Sequence, residues 1–370
     1  MKKLWVFIFL LFILAVPVFS AQAQAEQAAS FKAEIIKVEQ EELKTREDGS
    51  TFTQQNLRFK ALDSNRKGQE AVYYGISEIE VGDANTYQVG DRVFIDAFND
   101  ENGQENYYVV DYVRSGPILW LTIIFILTVV IVGRVKGLRA LLSLVVSFFI
   151  IIKFILPQIL NGHDPFLISL VGGLMMMFFI IYLTEGFNRK SHLAIFSVFL
   201  SLILTLLLSI IFSNLTRLTG MAQEESFFLL GNGNAIINFK GLLLAGMLIG
   251  AIGVLDDIIL GQIEAVDSIR LANPKLAPKK VFKLAYKVGN THLGAIVNTL
   301  FLTYAGAALP LLLLLIINQQ AGLSMSRALN TESVTTEIVR TLVGSIGVMA
   351  SMPIATFLAS WKPNWTKSKN

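Results

Sequence analysis

The chain of 370 residues contains no cysteine. This absence excludes disulfide bonds, a thiolate nucleophile and any cysteine-ligated metal site. The sequence also lacks the HExxH motif of zinc proteases, the GxSxG motif of serine hydrolases and the Walker motif of nucleotide-binding ATPases. An intramembrane enzyme is therefore the least favoured class, and we expect no catalytic residue, no cofactor and no bound metal ion.

Charge is scarce as well. Only 16% of the residues are charged and the net charge is +3, so the composition gives no support for a nucleic-acid partner. Hydrophobic residues make up 53% of the chain, and the mean hydropathy of +0.57 is too high for an ordinary soluble protein. Because no P-loop is present, transport would have to be driven by an ion gradient or a partner ATPase.

The first 25 residues predict an export signal. Lys2 and Lys3 precede an apolar run at 4–19, and two A-x-A sites follow at 21–25. A basic start, a short apolar segment and small residues at a cleavage site are typical of a secretory signal peptide. An uncleaved signal anchor is the alternative, and either form would export the segment that follows.

Residues 31–114 form the one sizeable polar region, which we interpret as a small exported domain. Short runs of β-branched and aromatic residues alternate there with turn signals, namely Asp48-Gly49, Gly82-Asp83, Gly90-Asp91 and Asn102-Gly103. The pattern predicts an all-β extracytoplasmic domain, either an OB-like barrel or a sandwich.

Residues 116–361 predict an α-helical, multi-pass membrane domain. About seven apolar runs reach or approach the ~20 residues that a helical span requires, and they lie at 117–133, 138–157, 164–184, 191–213, 239–261, 292–317 and 336–360. A basic turn joins the first two runs. A short basic tail at 362–370 follows the last one.

The loops between these runs carry basic residues in alternation, which indicates topology because cytoplasmic loops are enriched in lysine and arginine. One set of loops and the tail contain most of them, including Arg134, Lys136, Arg139, Arg189, Lys190, Arg270, Lys275, Lys279, Lys280, Lys283, Lys287, Lys362, Lys367 and Lys369. We therefore expect a cell-membrane protein whose C-terminus is cytoplasmic and whose residues 31–114 lie outside, as an export signal also requires.

The stretch 241–267 begins as a glycine-rich span and ends in carboxylates, which are expensive in hydrocarbon and are functional candidates by default. At 100° per residue, Asp256, Asp257, Glu264 and Asp267 fall within an arc of about 100°. The glycines on or beside the same face, Gly246, Gly250 and Gly253, predict close packing against a neighbouring helix.

The carboxylates have three interpretations. Asp256 and Asp257 could couple a proton or ion, because neighbouring carboxylates oppose each other's ionisation and one of them could hold a proton. The acids could instead form a solvated helix end paired with Lys279, Lys280 or Lys283. Ligation of Mg²⁺ or Ca²⁺ is the third interpretation. Carboxylates without a paired histidine suit these two ions and not a transition metal.

Polar residues on other predicted spans are candidates to support the acids. Asn298 and Thr299 on the sixth run are the best placed to meet the Asp256 region, and Gln262 follows the acids on their own helix. Glu337 and Arg340 are spaced i,i+3 at the start of the last run. We interpret them as a structural ion pair.

Three segments together resemble the YibE/F family of bacterial multi-pass membrane proteins: GAIGVLDD at 250–257, NTLFLTYAGAALPLLLL at 298–314, and LNTESVTTEIVRTLVGSIGVMASMPI at 329–354. The resemblance covers roughly 31–360. Gln262 fits the pattern that follows the aspartates, whereas Glu264 departs from it. The resemblance implies an integral membrane protein and supplies no biochemical activity.

The segment IGAIGVLDDIILGQIEAV is also similar to the proton-relay helix of resistance-nodulation-division exporters and of the related Sec accessory proteins. The analogy favours a proton-coupled secondary transporter or exporter component that uses Asp256 and Asp257. The alternative is a non-transporting assembly or envelope-sensing protein whose exported domain binds a partner. Expected partners are the bilayer, a second similar membrane protein or a second copy, and an unidentified small-molecule or envelope ligand.

Overall fold

The structure is a computed structural model that describes residues 29–45, 49, 51–76, 86–100, 103–222, 224–231, 237–320 and 324–361. The signal segment predicted at 1–25 and the basic tail predicted at 362–370 lie outside these residues. The described residues fall into two compact units, one with the strands and the chain up to Thr128, the other with the helices from Val129 onwards.

The strands form one antiparallel sheet in the order β3-β2-β1-β4-β5. Their bounds are β1 Ala29–Thr45, β2 Thr51–Ala61, β3 Glu70–Tyr74, β4 Arg92–Asn99 and β5 Glu105–Tyr112. The all-β prediction for this region is therefore confirmed. Gly90 and Gly103, at two of the predicted turns, have positive φ angles of 96° and 78°, a conformation that glycine adopts without strain.

The long first strand pairs with both of its neighbours. Its first residues pair with β4 and its later residues with β2, and the register against β2 shifts after Ile35 and again after Val38. Such bulges bend and twist a strand. The two edge strands consequently approach each other, and the rings of Tyr73 on β3 and Tyr108 on β5 meet at 5.8 Å. The sheet closes around an apolar core that includes Phe31, Ile35, Leu57, Phe59 and Ile95.

The rest of the described chain is helical. The helices are α1 Ser115–Ile150, α2 Leu156–Leu160, α3 Pro165–Glu185, α4 Arg189–Leu215, α5 Glu224–Gly231, α6 Phe239–Ala272, α7 Pro278–Ala307, α8 Leu309–Gln320, α9 Met325–Leu329 and α10 Glu332–Trp361, with a π-helical turn at Ile151–Ile155 between α1 and α2.

Helix α1 is broken at Arg134, which lies in the basic turn predicted between the first two spans. The backbone of Arg134 is not helical (φ 47°, ψ −127°). A Cβ at Gly137 would overlap the carbonyl group of Val129. In a straight helix these two positions would be about 12 Å apart, so the chain bends back sharply at Arg134.

Among the described residues, five helices are long and apolar enough to cross a membrane, or six if α7 and α8 are counted as one span bent by 65°. The protein is therefore a helical membrane protein. The larger count of about seven stays a prediction, because it requires Ser115–Leu160, which the break at Arg134 divides, to cross twice. The bend between α7 and α8 lies beside Gly306 and Pro310, and the sixth predicted run is thus not one straight helix.

Helices α3, α4, α6 and α10 form the centre of the bundle. Helix α4 faces this centre with a stripe of buried hydroxyl residues: Ser191, Ser197, Ser201, Thr205, Ser209 and Ser213. Such small residues let helices approach closely. Helix α10 uses this space at Gly347, where a Cβ would overlap the side chain of Thr205.

Candidate functional site

Helix α6 carries the predicted carboxylates. It begins after Asn238, whose side chain accepts a hydrogen bond from the backbone N–H of Gly241 at 3.0 Å, and it continues for 34 residues. A membrane crossing takes about 20 of these. Counted from Phe239, the crossing ends near residue 259, which places Asp256 and Asp257 in its last turn and Glu264 and Asp267 beyond it.

The two aspartates face different surroundings. Asp256 is half-buried next to the buried Leu255 and Ile259, whereas Asp257 is exposed. The ion pairs in the described part of the bundle involve Glu264, Asp267 and Glu337, and none includes Asp256 or Asp257. A charged group in a membrane span is costly, so the unpaired Asp256 stays the candidate for the predicted coupling role.

Two of the three glycines beside the aspartates do not pack against a neighbouring helix as predicted. A Cβ added at Gly246 or Gly253 would meet no described atom of another element within 4 Å, whereas a Cβ added at Gly250 would lie 2.7 Å from the hydroxyl oxygen of Tyr304 on α7. Gly246 and Gly253 are exposed and form, with the exposed Asp257, an open strip along α6. Within the described chain, the expectation of close packing at Gly246 and Gly253 is therefore corrected.

The last two carboxylates of α6 are structural. Lys190, at the start of α4, contacts Glu264 at 2.8 Å and the buried Asp267 at 2.6 Å. The lysines suggested by the sequence, Lys279, Lys280 and Lys283, make no ion pair with these acids in the described structure. The reason is topological: α4 begins at the end of the bundle where α6 leaves it.

The three supporting polar residues are not brought together at Asp256. Asn298 and Thr299 are exposed, and the Thr299 hydroxyl donates to the carbonyl of Ala295 on its own helix. Gln262 is buried, accepts a hydrogen bond from the Thr356 hydroxyl at 2.8 Å, and occupies the space that a Cβ at Gly289 would need. Gln262 therefore joins α6, α7 and α10, which is a packing role.

A cavity of about 310 Å³ lies at the opposite end of the bundle, where α3, α6 and α10 begin. Its walls are mainly apolar and come from the π-helical turn with α2, from α3, from the segment before α5, and from α6 and α10. The side of the cavity formed by α6 extends to Ile249, which is seven residues, or about 10 Å, from Asp256.

The polar groups of the cavity are largely without partners. Ser169 and Thr336 are 0% and 2% exposed, and among the described residues neither hydroxyl has a hydrogen-bond partner. The Nε atom of Arg340 is likewise buried and unpartnered. Buried polar groups are nearly always hydrogen-bonded in folded proteins, so each exception calls for an explanation. Three of the six such groups in the described chain belong to residues that line this cavity, which makes it a candidate binding site.

The predicted ion pair between Glu337 and Arg340 is present at this cavity. One terminal nitrogen of Arg340 lies 3.2 Å from the Glu337 carboxylate. The nearby Gly220, at the turn after α4, has φ 82°, and a Cβ there would overlap the backbone at Phe239. The backbone N–H of Gly220 and the Thr219 hydroxyl donate to Glu332, which ties this turn to α10.

Comparison with known proteins places this architecture in a family. The model for YibE/F-like proteins matches residues 121–364. The chain belongs to the YibE/F-like family. The match contains α6 and all the elements of the cavity, but it begins within α1 and so leaves out the sheet, which the resemblance was expected to include. No curated protein and no solved structure matches the chain.

Sequence reasoning missed the cavity because its polar residues are far apart in the chain. A local signal did exist: Thr336 and Arg340 are spaced i,i+4 and so share one face of α10. Ser169 is a single hydroxyl in an apolar run and carries no such signal. Only the packing of α3 against α6, and of α6 against α10, brings these residues to one cavity.

Proposed function

We propose that the chain is a proton-coupled secondary transporter, or the membrane component of one, in the bacterial cell membrane. The observation that supports this function is that one helix, α6, carries the unpaired Asp256 and also forms a wall of the cavity. The unsatisfied polar groups of the cavity belong to α3 and α10. A site for a solute and a site for a proton on one rigid element are the two parts that coupling requires.

The topology that we propose follows the loop charges. The basic loops would be cytoplasmic, so the cavity would open towards the outer face and Asp256 would lie near the inner one. Two crossings on either side of Arg134 would complete about seven spans. The sheet, as an OB-like exported domain, and a cleaved signal peptide belong to the same proposal.

Coupling would work through α6. Binding of a proton removes the charge of Asp256, which lowers the cost of moving this part of the helix deeper into the bundle. Because the walls of the cavity include Leu242, Leu243, Ala245 and Ile249 of the same helix, such a movement changes the cavity. Solute affinity and protonation are then linked, and linkage acts equally in both directions.

The test is proton flux in vesicles that contain the purified chain, measured with a pH-sensitive dye under an imposed pH gradient and with small organic solutes added. Asp256→Asn should abolish solute-dependent flux, because it removes the carboxyl group on which the proposed coupling depends. Asp257→Asn tests in the same way whether the neighbouring carboxyl group takes part. Glu264→Gln is the matched control, because Glu264 is an exposed acid of the same helix. Normal flux in both aspartate variants would rule out the coupling role.

The second candidate function is a non-transporting assembly or envelope-sensing role. The observation that favours it is an exposed apolar patch on the sheet, formed by Phe98 on β4 and by Tyr108 and Val110 on β5. Exposed patches rich in aromatic residues often mark binding faces. For this function, Tyr108→Ser in the full chain should abolish the cellular effect of the protein while Asp256→Asn leaves it intact. Transport predicts the reverse.

A further inference from the structure

The surface that the cavity offers to a bound molecule is mainly hydrocarbon. Nine of its fifteen described lining residues are isoleucine, leucine or alanine, and two are glycine. The hydroxyls of Ser169 and Thr336 and the Nε atom of Arg340 have almost no accessible surface. The Ser226 hydroxyl already donates to the carbonyl of Gly220 at 3.2 Å. A molecule in the cavity therefore meets apolar walls and not these polar groups.

The charges at the cavity cancel. Arg340 is the one charged residue among the described lining residues, and its guanidinium lies 3.2 Å from the Glu337 carboxylate. A cation or an anion in the cavity would thus be a charge without a partner in an apolar space, which is costly. Water is a poor occupant as well, because a buried water molecule needs several polar partners. These walls accept an occupant that is uncharged and apolar.

One side of the cavity is open where α2 and α6 line it. Leu156 is a lining residue and is nevertheless 47% exposed. Gly246 also lines the cavity, and a Cβ there would meet no described atom of another element within 4 Å. Gly246 is seven residues, or ~10 Å, along the crossing that begins near Phe239. The opening therefore lies within the membrane and not at its surface.

The contacts of α3 place Leu156 at a similar depth. A Cβ at Gly172 would overlap the side chain of Ile155, and one at Gly173 would overlap the side chain of Ile252 on α6. Ile155 and Leu156 consequently lie near the level of Ile252, which is ~20 Å into a crossing whose hydrocarbon core is ~30 Å thick. At this depth the opening faces lipid chains.

We propose that the cavity binds a compact, uncharged, apolar molecule that enters sideways from the bilayer, as the solute of the transport function proposed above. Atoms that line an empty space lack dispersion contacts on one side, and an apolar occupant restores them. The volume of about 310 Å³ is about twice the ~150 Å³ of an engineered apolar cavity that binds benzene. A partner helix, which is about 10 Å across, is too wide for it.

Binding can be measured without transport, by photolabelling the full chain in lipid nanodiscs with adamantane diazirine. This probe is an uncharged cage hydrocarbon that dissolves in the bilayer, and mass spectrometry of the digested chain locates its adducts. We expect adducts on the lining residues Ile155, Leu243 and Ile249 that an excess of adamantanol prevents. Leu302, 72% exposed on α7, is the internal reference, since a residue labelled from the bilayer should not saturate.

The charge of the competitor tests the ligand class. Adamantyltrimethylammonium and adamantanesulfonate have the same cage with a permanent charge. At equal concentration in the bilayer, each should compete at least about tenfold more weakly than adamantanol, because burying a charge without a partner costs more than the ~1.4 kcal/mol of a tenfold change.

Two glycines of α6 supply matched variants that assign the labelling to the cavity. Gly246→Leu places a side chain at the opening and should abolish the saturable labelling. Gly253→Leu is the control, because Gly253 is equally open in the described chain, lies two turns further along the helix and does not line the cavity. It should be labelled as the wild type is. Wild-type labelling of Leu302 in both variants shows that the fold and the probe dose are unchanged.

Three results would overturn the proposal: no saturable labelling of the cavity, as when a phospholipid chain already fills it; equal competition by charged and uncharged cages; or equal labelling of the two glycine variants. Failure of the transport function is a separate result. Saturable labelling that Gly246→Leu removes, together with normal flux in both aspartate variants, would support the ligand class and reject the coupling.

Discussion

Two regions of the bundle bury hydroxyl groups in opposite ways. On α4, every hydroxyl of the buried stripe donates to a backbone carbonyl three to five residues earlier in the chain, as Ser201 does to Ser197 and Thr205 does to Ser201, at 2.8 and 2.9 Å. At the cavity, Ser169 and Thr336 are equally buried but have no partner among the described residues. The two sets contain the same residue types in the same kind of helix.

The difference shows what each set does. A satisfied hydroxyl is a small side chain that allows α10 to approach α4, as Gly347 and Thr205 demonstrate. An unsatisfied hydroxyl costs free energy in the folded protein, and both of those here belong to the wall of the cavity. The charged groups divide similarly: Asp267 is neutralised by Lys190 at 2.6 Å, whereas Asp256 has no cation among the ion pairs described. Asp267 and the α4 stripe are therefore paired, whereas Asp256, Ser169 and Thr336 are not.

Removing the positive charge of Lys190, which pairs with Asp267, should have the largest effect on the free energy of unfolding. Lys190→Met leaves Asp267 buried without a partner, and breaking a buried pair in this way costs about 3 kcal/mol. We expect unfolding of the full chain in mixed micelles to show a loss of this order. The double variant Lys190→Met/Asp267→Asn is the control and should regain most of it. A loss as small as that of an exposed pair, under about 1 kcal/mol, would contradict the structural role.

The change of one glycine to alanine compares a packed helix face, at Gly347, with an open one, at Gly246. Gly347→Ala forces a Cβ into Thr205 and should cost about 1–3 kcal/mol by overpacking. Gly246→Ala meets no described atom within 4 Å and should be neutral or stabilising, because alanine favours a helix by up to ~1 kcal/mol over glycine. The same unfolding assay measures both variants.

A large cost at Gly246 would mean that the open strip of α6 is covered by another chain. A second copy or a second similar membrane protein is the expected partner there, and the cost should then depend on protein concentration. If Gly347→Ala is instead tolerated as well as Gly246→Ala, the close contact between α4 and α10 is not formed.

Removing one hydroxyl group from each set tests the comparison directly, with a smaller effect on the free energy of unfolding. Ser201→Ala breaks a hydrogen bond to the backbone of its own helix and should cost about 0.5–1 kcal/mol, the lower part of the range for a hydrogen bond in a protein. Ser169→Ala removes a donor that has no partner and should leave the free energy of unfolding unchanged or raise it slightly. Both are measured on the empty chain. Equal losses would show that Ser169 is satisfied after all and would weaken the case for a ligand.

The sequence predicted the class of protein and its local features better than it predicted the contacts between residues that are far apart in the chain. The apolar runs predicted a helical membrane protein, the alternating runs before them predicted the strands, and the i,i+3 spacing predicted the pair of Glu337 and Arg340. These features depend on neighbours within one or two turns. The partner of Asp267 was predicted wrongly because Lys190 is far away in sequence, and the choice between it and Lys279 depends on how α4 packs against α6.

The functional residues show the same limit. Helical arithmetic placed Asp256 and Asp257 on one arc, but 100° of rotation separates a half-buried position from an exposed one. The glycine strip was expected to pack because GxxxG usually does so, yet the neighbouring helix α7 leaves Gly246 and Gly253 open. No local pattern marks Ser169, which becomes part of a site only through tertiary packing.

The smallest effect is expected where a charged pair is exposed to water, in the sheet. Glu105 on β5 accepts from Arg66 and from the Tyr107 hydroxyl, and the hydrogen bond from Arg66, followed by that from Tyr107, lowers the pKa of Glu105 below its ordinary value of 4.5. A lowered pKa means that the stabilisation is present above pH 4.5 and is lost as the pH falls through the folded-state value.

The side chain of Glu105 is 37% exposed, so solvent screening keeps its contribution to the free energy of unfolding below about 1 kcal/mol. The protection of β4 and β5 amides against hydrogen exchange in the full chain, corrected for the intrinsic exchange rate at each pH, should therefore fall in acid more strongly in the wild type than in Glu105→Gln. If both chains respond equally to acid, another carboxylate controls the acid sensitivity of the sheet. Asp111, whose pKa Arg114 lowers in the same way, is the next candidate to substitute.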